Sequence, residues 1–79
     1  MQTSDTTLPM KKILRFRSRL EAEHFKSSLK ALCPGTFMNI YLKGTGYHLM
    51  ASGTFTDAEI HKAAGLAQIT DYKTVESKP

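Results

Sequence analysis

Between Lys11 and Val75 the spacing of apolar residues switches repeatedly between the two-residue period of a strand and the longer period of a helix. This gives the order strand, helix, strand, strand, helix, strand, which constrains the fold more than any other feature. Lys11–Arg17 alternates, with Leu14 and Phe16 on one side and Ile13, Arg15 and Arg17 on the other, as in a half-buried strand. Ser18 stands three residues before Glu21, a capping-box spacing that opens a helix. Along that helix Ala22, Phe25, Leu29 and Leu32 make an apolar stripe, until Cys33-Pro34-Gly35 stops it.

The central hairpin fixes its own register. Met38, Ile40 and Leu42 alternate with Phe37, Asn39, Tyr41 and Lys43. Tyr47, Leu49 and Ala51 alternate with His48, Met50 and Ser52. A two-residue Gly44-Thr45 loop, with glycine at the positive φ of a type II′ turn, pairs Leu42 with Tyr47, Ile40 with Leu49 and Met38 with Ala51. A three-residue loop would mix the faces, so register favours the shorter one. Thr56 and Glu59 repeat the capping box for a second helix, Asp57–Ala64, with Gly65 as its C-terminal cap and Leu66 packing back on Ile60. Ile69–Val75 reads as the last strand.

This order predicts an α+β, ferredoxin-like βαββαβ sandwich: a four-stranded antiparallel sheet, two helices on one face, and the first and third strands in the middle. Its expected core is Leu14, Phe16, Leu20, Phe25, Leu29, Leu32, Met38, Ile40, Leu42, Leu49, Ala51 and Ile60. A single domain over residues 11–75 follows, with a disordered tail over 1–10 and a frayed one over 76–79.

With 79 residues there is room for one hydrophobic core. One cysteine, Cys33, excludes an internal disulfide framework and a cysteine-based zinc site. No apolar run approaches the roughly 20 residues needed to span a bilayer, and the polar N-terminus has no secretory core. The expected setting is cytoplasmic, without membrane attachment. The net charge of +4 is concentrated. Lys11, Lys12, Arg15, Arg17, Arg19, Lys26 and Lys30 face only Glu21 and Glu23 in the first strand and helix, whereas Lys43, Lys62 and Lys73 balance Asp57, Glu59 and Asp71 further on. Such a patch suits acidic partners.

Nothing in the pattern points to catalysis. His24, His48 and His61 sit on separate elements without a paired ligand at metal-binding spacing, so neither a metal nor another cofactor is expected. Cys33, at the negative end of a helix, reads as a buried, inert thiol. The glycines belong to turns, not to a phosphate-binding loop. The sheet face away from the helices is more informative. Arg15, Arg17, Phe37, Tyr41, Lys43, His48 and Met50 are the candidate ligand-binding residues, with Ile13, Asn39 and Ser52 among them and Tyr72 added by the last strand. Cations beside exposed aromatics suit single-stranded nucleic acid, which needs phosphate neutralisation and base stacking. The competing expectation is a small protein-binding adaptor or inhibitor, of the phage or mobile-element type, docking Phe37, Tyr41 and Met50 on a partner with an acidic surface. The chain is expected to be a monomer or a weak edge-paired homodimer.

Lys43-Gly44-Thr45-Gly46-Tyr47 resembles the start of the RRM third-strand motif, basic-Gly-aromatic-Gly-aromatic, with Thr45 in place of the first aromatic. That resemblance implies the same βαββαβ fold and RNA binding on the open face. A second likeness is to SPOR domains: Tyr47, Gly53-Thr54-Phe55 and Ala58-Glu59 are similar to their Tyr, Gly-x-Phe and Ala-Glu stretch. It implies a peptidoglycan-binding module of the same topology.

Overall fold

The computed structural model describes residues 10–78, so the expected tail before Met10 lies outside the described residues. In chain order the elements are β1 (Met10–Phe16), α1 (Arg19–Leu32), β2 (Phe37–Lys43), β3 (Gly46–Gly53), α2 (Asp57–Leu66) and β4 (Lys73–Lys78). They build one antiparallel sheet in the order β2-β3-β1-β4, with the two helices packed together, a ferredoxin-like α+β fold. The central positions of β1 and β3 follow the sequence expectation.

Both helix starts are capped, the first by only half of the expected box: Ser18 accepts the Glu21 N–H at 3.2 Å, while the Glu21 carboxylate accepts the Arg17 N–H at 3.3 Å. Thr56 and Glu59 make the reciprocal box, with Thr56 N–H donating to Glu59 Oε1 at 2.8 Å. The hairpin has the expected register, Leu42 opposite Tyr47 and Met38 opposite Ala51. Gly44 has φ +64, and Thr45 is not among the described residues with positive φ, as a type II′ turn demands.

One core lies between sheet and helices. Leu14, Phe25, Leu29 and Leu49 have no exposed surface, and Phe16, Phe55, Ile60 and Ile69 are nearly as deep. Each such side chain contributes about 1.5–3 kcal/mol relative to its exposed state. Among the core-facing positions of β1 is a charge. Lys12 is 7% exposed, in phase with Leu14 and Phe16, and its ammonium pairs with the carboxylate of Asp57 at the start of α2. That cation holds the Asp57 carboxyl below the usual carboxylate range.

Several expectations need correction. Leu20 is 64% exposed because it lies two residues before Ala22, about 200° around the helix from the buried stripe. Leu42 is 60% exposed because it stands at the hairpin end of an edge strand. The last strand begins at Lys73, not Ile69, and runs on to Lys78. Ile69 is buried just after α2, its N–H donating to the Ala64 carbonyl at 2.9 Å. Gly65 does not cap α2, which continues to Leu66. The left-handed residue is Gln68, at φ +59, and Leu66 is 59% exposed, so it does not pack back on Ile60.

Candidate ligand-binding face

Sheet register assembles the open face into cross-strand rows. Tyr41, His48, Arg15 and Lys73 form one row from β2 to β4. Asn39, Met50, Ile13 and Glu76 form the next, and Phe37, Ser52 and Lys11 open the third. Glu76 rather than Val75 opposes Ile13 because β4 carries a register shift between the partners of Ile13 and Leu14.

Of the seven candidate residues, Phe37, Lys43 and Arg15 stand exposed on this face. Phe37 is the most open aromatic, at 64%. Tyr41 and Met50 are half-buried there. His48 is on the same face but only 8% exposed, which removes it as a free contact. Its ring lies 5.4 Å from that of Tyr41 at 19° between planes, and its Nδ1–H donates to the Gly46 carbonyl at 3.1 Å. The histidine supports Tyr41 from below and is fixed in one tautomer, a positioning role instead of a contact.

Arg17 lies beyond the end of β1. Its guanidinium is 3.4 Å from Asp71 and 3.7 Å from Glu21, which draw it to the sheet end. It meets Arg15 and Lys73 around a hollow of about 360 Å³ under the hairpin turn. Tyr72 is not on the open face. Preceding β4, it turns to the helix side, where its ring is 6.2 Å from Phe16 and 6.4 Å from Phe25, and its hydroxyl is 3.0 Å from Nδ1 of His61.

Three contributors were absent from the sequence-based set. Lys11 shares the phase of Ile13 and Arg15, a signal that the alternation already carried. Lys73 joins Arg15 across β1 and β4, which only the true start of β4 reveals. Gly46 is buried beneath the Arg15 side chain; a side chain there would collide with the arginine. The lysines and arginine thus bracket a strip containing Phe37, Tyr41 and Met50, an arrangement that can neutralise phosphates along a chain while presenting ring faces.

Elsewhere chemistry is quiet. Burial pushes the Cys33 thiol up from its ordinary pKa, and the Glu59 carboxylate beside it adds to the shift. Among the described residues no cluster of three His, Cys, Asp or Glu could hold a metal ion, and no helix is long and apolar enough to cross a membrane. No family model, curated protein or solved structure matches this chain.

Proposed function

We propose that the chain is a non-enzymatic binding module that holds single-stranded nucleic acid across its open sheet face. The observation that carries this reading is the placement of Lys11, Arg15, Lys43 and Lys73 around Phe37 and Tyr41 on one face of a four-stranded sheet. Phosphates run along the cations, and a base stacks on Phe37, worth about 1–3 kcal/mol. Tyr41, braced by His48, offers the second platform. Duplexes fit less well, because a flat sheet face meets unstacked bases more readily than paired ones.

The test is fluorescence anisotropy with labelled oligo(U) and oligo(dT) at increasing salt. Neutralising about three or four phosphates gives a log–log salt slope of about −2 to −3 for a single strand. Binding that ignores salt, or no binding at low salt, overturns the reading.

A further inference from the structure

The two outer edges of the sheet differ in kind. β4 is interrupted by a register shift, a usual way of blunting an edge. β2 has no such shift. It is seven residues of regular alternation, Phe37-Met38-Asn39-Ile40-Tyr41-Leu42-Lys43, with one charge at its last position and with Phe37 and Leu42 exposed. Its pairing with β3 starts from the two-residue turn, where Lys43 opposite Gly46 is a hydrogen-bonded pair. By alternation, Tyr41, Asn39 and Phe37 also direct their N–H and C=O groups to β3. The backbone groups of Met38, Ile40 and Leu42 therefore point outward with no strand to receive them.

Beside this edge runs a groove of about 660 Å³ between β2 and α1, with Met38 and Ile40 in its floor. Its helical wall presents Arg19, Lys26 and Lys30, three cations against the single carboxylate of Glu23. Glu23 is held by Arg19 at 2.9 Å, and Lys30 Nζ donates to the Thr36 carbonyl at 3.2 Å. An edge with an open ladder, lying under a cationic wall, has two complementary features: backbone to pair and carboxylates to neutralise.

We propose that β2 accepts an extended acidic peptide segment of a partner protein as a fifth strand, independently of the ligand on the open face. The added strand hydrogen-bonds to Met38, Ile40 and Leu42, and alternate side chains face opposite sides of the sheet. Those on the helix side carry carboxylates to Lys26 and Lys30, and those on the other side pack apolar groups beside Phe37. A second copy fits poorly, because antiparallel pairing of two β2 edges sets the cationic α1 walls of both copies side by side. Nucleic acid lacks the regularly spaced amide and carbonyl groups that the edge requires.

The test is an NMR titration of the labelled chain with a soluble, end-blocked peptide alternating Glu with Val and Ile, carried to millimolar concentration. The expected result is shifts along β2 and on Lys26 and Lys30, with slowed amide exchange at Met38, Ile40 and Leu42. Lys26→Glu should weaken binding about tenfold, as befits loss of a facing charge pair. Ile40→Pro, which removes an outward N–H from the edge and with it a half-buried side chain packed on the core, should abolish binding at some cost in stability while the β3 amides keep their dispersion. Absence of shifts, shifts confined to Lys11, Arg15 and Lys73, or indifference to both variants overturns the proposal. Sedimentation showing a dimer with β2 already protected also overturns it. Oligo(U) shifts on the open face are read separately, so either proposal can fail alone.

Discussion

Arg15 lies across Gly46, and a methyl group at position 46 would come within 3.2 Å of the arginine Cδ and Cζ, and closer still to Nε. The residue types at the two positions are therefore coupled although they are neither sequence neighbours nor direct cross-strand partners, since Arg15 pairs with His48. The glycine is there for space, because no positive φ requires it. It lets the guanidinium lie down on the sheet beside the Tyr41–His48 stack.

Gly46→Ala should separate folding from binding. Alanine in a strand gains about 0.5–1 kcal/mol over glycine, which offsets the cost of moving a flexible side chain, so stability should change by less than about 1 kcal/mol. Oligo(U) affinity should fall about as far as in Arg15→Ala, and the double variant should lose little more. Urea melts and anisotropy on the three proteins check this; full additivity would break the coupling.

Lys12 and Asp57 give an acid-sensitive contact. The Asp57 pKa is depressed in the folded chain by the Lys12 ammonium. Its contribution to stability is therefore present above the unfolded carboxylate value, near pH 4, and is lost as pH falls through the lower folded value. Asp57→Asn should lower the melting temperature at neutral pH and flatten its decline on acidification. Lys12→Met should hold or raise it, because a buried ammonium gives way to an apolar chain of similar length. Thermal melts between neutral pH and pH 3 decide the matter; a Lys12→Met variant less stable than Asp57→Asn would refute it.

Most of the topology was legible because it depends on local signals: two capping boxes, one short turn and clean alternation in three strands. The misplaced features depend on tertiary context. Ile69 looks like the start of a strand, yet it serves as the buried stop of α2. Leu42 has the core phase but stands exposed at the hairpin end of an edge strand. At the site, alternation located Arg15, Phe37, Tyr41, Lys43 and Met50 on one face. It could not show that Tyr41 would cover His48, or that Asp71 and Glu21 would draw Arg17 to the end of the sheet.

The two aromatic candidates should respond differently to truncation. Phe37→Ala removes an exposed ring, so stability should stay within about 0.5 kcal/mol while oligo(U) affinity drops by about 1–3 kcal/mol. Tyr41→Ala uncovers His48 and loses a ring stack, so it should cost about 1 kcal/mol of stability as well as affinity. Paired melts and titrations test the split. Equal loss of affinity with no loss of stability in both would show that the Tyr41–His48 stack has no structural role.

The end of α2 holds its glycine three residues too early. Gln68 N–H donates to the Gly65 carbonyl at 3.1 Å, and Ile69 N–H to the Ala64 carbonyl at 2.9 Å, the paired bonds of a Schellman motif. Its left-handed position is filled by glutamine at φ +59, where an L side chain costs about 1–2 kcal/mol. Gly65 meanwhile sits within the helix, exposed and with open space where a Cβ would be, at a cost of about 0.5–1 kcal/mol relative to alanine. Gln68→Gly and Gly65→Ala should therefore each raise stability by about 0.5–1 kcal/mol, reduced in the first case by the greater freedom of glycine in the unfolded chain. They remove separate local costs, so the gains should add. Urea unfolding at constant m-value is the measurement. If Gln68→Ala stabilised as much as Gln68→Gly, the backbone angle would not be the source of the cost and the motif would be set by something other than its left-handed residue.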